Sequence, residues 1–263
     1  MPGVPLPPAP MPLLRGTRPL KQWCYVLFAA PELAICAAEA KVLGVPRRWW
    51  ALATPAGELR GVTGATRRRL RIAPERVAIC GEGETVTIEI EPRSPVEVAS
   101  PEGRDYIWTR KRVGPARAEV AIAGECHTYE GYALVDESAG YHRRRTVWRW
   151  SAGIGDGTNG ETLAWNLVAG IHDDERASER TVWIDGVAHE TEPVQFGSDL
   201  RWVRSRSGCL LEFEPWAERR EQLSLGFVRV DYRQPFGAFR GTLPGAIELV
   251  RGVGVMESHD ARW

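Results

Sequence analysis

The chain has 263 residues with 34 Lys+Arg against 34 Asp+Glu, so it carries no net charge and lacks the overall basic field of a dedicated nucleic-acid binder. No run of about 18 apolar residues occurs, so no membrane-spanning helix is expected, and the length suits one large domain or two modest ones. With 27 glycines, 19 prolines and 11 tryptophans, the composition leans toward strands and turns rather than helices.

Residues 1–20 open with prolines and no charge before Arg15, which reads as a flexible arm rather than a secretory signal. Strands are then expected over Gln22 to Ala29, Ala34 to Val42 and Arg48 to Ala53. Alanines make Glu32 to Val42 a rival for helix, but the tryptophan-rich runs on either side need a pairing neighbour, which favours strand. The arginine runs Arg67-Arg68-Arg69 and Arg143-Arg144-Arg145 read as solvated surface. Glu75 to Glu91 holds two period-two runs around Gly81-Glu82-Gly83, a hairpin signal. Further strands are expected over Tyr106 to Val113, Glu119 to Ala123, Thr128 to Val135, Thr146 to Ala152 and Thr162 to Ile171.

Gly155 to Gly160 matches GxGxxG, but the segment that follows alternates as a strand, so the glycines are read as a loop between strands and not as a nucleotide site. His172-Asp173-Asp174-Glu175 lacks any metal-ligand spacing. Hairpins are expected over Thr181 to Glu190, with Asp185-Gly186 at the corner, and over Trp202 to Phe213, with Ser207-Gly208 between its arms. Leu223 to Tyr232 and Ile247 to Glu257 close the set. The five cysteines stand singly, which argues against disulfides or zinc and suits a reducing, cytoplasmic setting; no metal or cofactor is expected. Of the 34 basic residues 31 are arginine, a mark of GC-rich coding rather than of function.

Reactive side chains concentrate between Glu130 and Trp150. Asp136 and Glu137 can exchange protons, His142 titrates near neutrality, and Tyr141 can donate a hydrogen bond. Trp148 and Trp150 share one face of an extended segment. Asn166, on a strand face with Ala164 and Val168, must find polar partners. Glu257 and His259 project on one side of the last strand, where a carboxylate can raise the pKa of an imidazole and form an acid–base pair. Each has a structural alternative: solvated acids, core tryptophans, a surface salt bridge.

The segments Gly140-Tyr141-His142, Thr146 to Gly155, Trp165 to Gly170, Trp183 to Gly186, Pro235 to Gly241 and Gly254 to His259 resemble the bacterial domain of unknown function 2804, and Trp23-Cys24-Tyr25 is similar to that family's start. More distantly the pattern looks like lipocalin-related hydroxyneurosporene synthases and similar hydratases and cyclases. That resemblance implies two calycin-like barrels and a cavity for an apolar small molecule, and it carries over no catalytic residue.

The expectation is an all-β protein of two calycin-like, lipocalin-like antiparallel β-barrel halves, at residues 21–130 and 131–263, after the arm 1–20. The leading functional reading is binding of a small hydrophobic molecule in a tryptophan-lined cavity, with Tyr141, Trp148, Trp150 and Asn166 as ligand contacts. The alternative is a hydratase, isomerase or cyclase that protonates an unsaturated lipid-like or terpenoid substrate, with Asp136, Glu137 or Glu257 as acid and His142 or His259 as base. A protein-interaction scaffold with every tryptophan in the core is a third reading. Whether a carboxylate sits inside the cavity beside an imidazole discriminates the first two.

Overall fold

The computed structural model describes residues 5–175, 178–226 and 228–262, and no helix occurs among them. A short ladder, β1 (Leu14–Arg15) and β2 (Arg18–Pro19), precedes two large antiparallel sheets. The first comprises β3 (Lys21–Ala30), β4 (Leu33–Val42), β5 (Val45–Ala53), β6 (Leu59–Thr63), β7 (Leu70–Ala73), β8 (Arg76–Cys80), β9 (Glu84–Ile90), β10 (Arg93–Glu102), β11 (Asp105–Ile122) and β12 (Glu125–Gly140). The second comprises β13 (Arg145–Gly157), β14 (Thr162–Ala169), β15 (Thr181–Ile184), β16 (Val187–Glu190), β17 (Val194–Phe196), β18 (Trp202–Ser205), β19 (Leu210–Leu225), β20 (Val228–Leu243) and β21 (Ile247–Arg262).

Both sheets follow one plan. The first four strands run as a meander, and the last strand returns to pair with the first: β12 with β3, and β21 with β13. Each sheet curls over itself, β7 packing across β3, β4 and β5, and β17 against β14. The all-β, calycin-like architecture expected from the sequence is the one observed. The change of sheet falls between Gly140 and Arg145, since β12 runs unbroken through residue 130 and pairs along its length within the first sheet.

Alternation then sorts the side chains. On β3, Val26, Phe28 and Ala30 fill the interior of the first half, while Tyr25, Leu27 and Ala29 face the second half. On β14, Leu163, Trp165 and Leu167 fill the interior of the second half, and Ala164 and Val168 face the first. Strands buried on both faces read as continuous apolar runs. The alanine-rich run is therefore strand and not helix: Ala34, Cys36 and Ala38 with Ala51 and Ala53 are small enough to let the sheets approach.

The three hairpins form where expected, and Asp185 and Gly186 take φ of 49° and 79°, as a type I′ corner requires. Of the glycine-rich segment 155–160, expected as a loop, residues 155–157 end β13 and only 158–160 make the turn to β14. Leu223 to Tyr232 is not one strand: the chain reverses at Gly226 (φ 58°), so β19 and β20 form a long hairpin there, which the uniform β propensity of the segment concealed. Tyr106 to Val113 and Glu119 to Ala123 belong to one strand, β11, up to Ile122. From Pro5 onward the arm meets the first half. The Tyr106 hydroxyl donates to the Pro5 carbonyl at 2.6 Å, and Leu6 and Met11 pack on Leu20, Tyr106 and Tyr141.

In the second half the Trp165 indole lies flat over Gly153 and Gly252, where a Cβ would overlap the ring. Gly153→Ala is expected to destabilise the protein by about 1–3 kcal/mol through overpacking, read as a lower urea midpoint with unchanged slope.

Candidate functional site

Each half has an apolar cluster in its interior, and a cavity of about 270 Å³ lies between the halves. It forms where the facing positions change character along the same strands. On β3 the inter-half face runs Ala29, Leu27, then Tyr25, Trp23 and Lys21; on β21 it runs Val253, Val255, then Glu257 and His259; on β13 it runs Ile154, Ala152, then Trp150 and Trp148. Toward one end the small aliphatic contacts give way to rings and ionisable groups, and a hollow opens. Its rim includes Val45 and Arg47, both exposed.

Cross-strand register assembles two polar groups on the wall. Glu257 lies opposite Trp150 on β13, and His259 lies opposite Trp148 on β13 and Tyr232 on β20. The Trp148 indole N–H donates to Glu257 Oε1 at 2.7 Å, and the Tyr232 hydroxyl to Oε2 at 2.7 Å, with Gln234 Nε2 at 3.3 Å. Burial pushes the Glu257 carboxyl above its ordinary value, against the pull of these hydrogen bonds. The second group is an ionic set. Lys111 on β11, opposite Asp136 on β12, places Nζ 2.7 Å from Asp136 Oδ1 and 3.5 Å from Glu179 Oε1. Burial opposes the Lys111 charge, yet the two carboxylates hold its pKa above normal; burial raises that of Asp136, with Lys111 pulling it back.

The imidazoles behave otherwise than expected. His259 stacks on Trp148 at 3.6 Å between centroids, and burial carries its pKa down to about 3. The expected Glu257–His259 ion pair, with a raised imidazole pKa, is therefore replaced by an arrangement in which Trp148 bonds the one and stacks on the other. His142, in the link between halves, lies 5.2 Å from Trp23 and is also held neutral by burial, with Lys21 adding to the effect. Lys21 itself is lowered to about 7 by burial.

Of the residues singled out in the sequence, Asp136, His142, Trp148, Trp150, Glu257 and His259 all line the cavity. Glu137 does not: on the opposite face of β12 it pairs with Arg110 and Arg112, at 3.0 and 2.7 Å. Tyr141 is buried away from it, donating to the Pro12 carbonyl at 2.8 Å beside Tyr106. Asn166 is buried behind the wall, where Oδ1 accepts from the Trp150 indole at 2.7 Å and Nδ2 donates to the Glu179 carbonyl at 2.8 Å, so it positions the wall rather than forming it.

Sequence reasoning missed Trp23, Tyr25, Lys111, His172, Glu179 and Tyr232. One signal was there to read. The chain has 31 arginines and three lysines, and those three, Lys21, Lys41 and Lys111, all line the cavity. A compact ammonium that can be buried or shift its pKa is not replaceable there by a guanidinium.

A sequence profile described as a domain of unknown function, DUF2804, matches residues 59–263, which leaves the Trp23-Cys24-Tyr25 likeness outside the matched span. No curated protein sequence matches the chain. Among solved structures, an AttH-like protein from Nitrosomonas europaea superimposes with a TM-score of 0.58 at 13% identity, over 97% of this chain and 98% of that one. Kievitone hydratase from Nectria haematococca gives a TM-score of 0.55 at 9% identity, over 90% of this chain and 88% of that one. These likenesses are of fold.

The neutral imidazoles fix a pH dependence. An imidazole held neutral in the fold takes up a proton on unfolding, so its contribution to stability is complete above the ordinary value of 6.5 and is lost as pH falls from there toward about 3. Wild type is expected to lose stability between pH 7 and 5, about 2 kcal/mol of it from His259. His259→Asn should lose that much less, read from urea midpoints at the two pH values.

Proposed function

The chain belongs to the DUF2804 family, whose description assigns no reaction, and from the chemistry of the cavity we propose that it binds a small, largely apolar molecule between its halves and transfers a proton to it. The volume of about 270 Å³ lies near the lower end of small-molecule sites, and the wall combines tryptophan, tyrosine and aliphatic side chains with as many polar and ionisable ones.

The observation that carries the catalytic part is Glu257: a buried carboxyl on the cavity wall, biased by burial toward its protonated form, with donors already aimed at both oxygens. Such an acid gives its proton to a double bond, and the carboxylate left behind is stabilised by Trp148, Tyr232 and Gln234 without rearrangement. Positive charge developing on the substrate faces the rings of Trp148, Trp150 and Tyr25. Addition of water with loss of one of its protons, loss of a proton from the cation, or internal attack by another double bond followed by such a proton loss then completes hydration, isomerisation or cyclisation, with the neutral imidazole of His142 or His259 able to take the departing proton. The name of the hydratase among the structural neighbours is consistent with the first outcome.

Titration with retinoid, fatty-acid and terpenoid probes is expected to give saturable quenching of tryptophan fluorescence with at least one class. No saturable quenching with any of them would remove the binding reading. With a converted probe, Glu257→Gln should leave affinity within about threefold while lowering turnover by roughly 10²–10⁴. Undiminished turnover in that variant would remove Glu257 as the acid.

A further inference from the structure

Hydrogen-bonding capacity is unevenly met around the cavity. Both oxygens of Glu257 are engaged by protein donors. On the rest of the lining His259 Nε2, Thr146 Oγ1 and Trp49 Nε1 are buried without a hydrogen-bond partner, and a larger group of such atoms lies around the Lys111–Asp136 pair. Glu179 Oε2, His142 Nε2 and both ring nitrogens of His172 are buried with no hydrogen-bond partner in the protein, and all three residues line the cavity. They are 4%, 2% and 8% exposed, so bulk solvent does not serve them. Glu179 ties two of them together: Lys111 Nζ lies 3.5 Å from Glu179 Oε1, the Glu179 amide donates to the His172 carbonyl at 3.2 Å, and the charges of Glu179 and Lys111 both act on the His172 ring, which in turn acts on that of His142. His172 adopts a left-handed backbone conformation (φ 49°) shortly after β14.

We propose that the ligand of this cavity carries a hydroxyl group, received by Glu179, His142 and His172 at the Lys111–Asp136 end, while its apolar body lies along Trp148 and Trp150. The inference rests on the binding reading above and names the chemical class of what is bound: an apolar alcohol or phenol. A carboxylate oxygen can only accept, so the ligand must donate. A neutral imidazole gives at one nitrogen and accepts at the other, and a hydroxyl does both, so one such group satisfies a carboxylate and a ring together. A ligand ammonium would also donate, but it would sit beside Lys111 within reach of the same carboxylate. A purely apolar ligand would leave all of these polar atoms dry, whereas one hydroxyl can meet three of them, donating to Glu179 and accepting from one nitrogen of each ring.

The test is calorimetric titration of the intact protein with 2-naphthol, 2-methylnaphthalene and 2-naphthylmethylamine, which share a ring system and differ in the polar group. The expected result is 2-naphthol binding at least about tenfold more tightly than 2-methylnaphthalene, as a hydrogen bond to a charged acceptor provides. Glu179→Gln should cut that preference to about threefold or less, read as the ratio of the variant's own affinities for 2-naphthol and 2-methylnaphthalene. Equal binding of 2-naphthol and 2-methylnaphthalene to wild type overturns the inference and leaves the binding reading standing, as does a preference for the amine. A preference that survives in Glu179→Gln overturns the assignment to this end of the cavity. Failure of all three probes to bind overturns the binding reading and the inference together. The wild-type comparison decides the matter even if the variant does not fold.

Discussion

Everything in this molecule depends on strands that are buried on both faces. β3, β12 and β21 each send alternate residues into the interior of their own half and the others into the seam between halves, while β13 presents Ser151 and Gly153 to Trp165 on its own side and Trp150, Ala152 and Ile154 to the seam. The first set must be apolar and close-packed, since a void or a stray polar group there costs stability directly. The second set is free to change along the strand. Small residues at one end, Ala34, Cys36, Ala51 and Ala53, bring the sheets together; bulky and polar ones at the other hold them apart.

Placing ionisable groups in such a seam is expensive, and the wall reflects the two ways of offsetting the cost. Lys111 keeps its charge because two carboxylates surround it. The imidazoles and Glu257 are instead biased toward their neutral forms. One hollow thus holds a buried ion pair together with imidazoles and a carboxyl biased toward their neutral forms.

Local patterns carried most of the fold and part of the site. Trp148 with Trp150, and Glu257 with His259, were legible because residues two apart on a strand must share a face. The alternation of Asn166 with Ala164 and Val168 likewise placed its amide correctly toward the seam, although its partners, Trp150 and a backbone carbonyl, make it a support. Asp136 and Glu137 could not be separated in the sequence: adjacent residues point to opposite faces, and nothing local says which face of β12 borders the cavity. Lys111, Glu179 and Tyr232 come to the wall through cross-strand register and the meeting of two sheets, neither of which leaves a mark on the nearby residues. The location of the hollow was illegible for the same reason, since small barrels of this kind suggest a space inside each half, whereas the cavity lies between the halves.

The recurrence of one strand plan in both halves, with the first strand of each clasped by its last, has an architectural corollary. Two like modules laid side by side have a joint that neither possesses alone, and both furnish its wall: Lys111, Asp136 and Tyr25 from one module, Glu179, Glu257, Tyr232 and His259 from the other. Change can accumulate at such a joint without disturbing either module's own filling. The chemistry is thus a property of the pairing, and a module expressed by itself would hold only half of the tools and bare the oily flank its twin now covers.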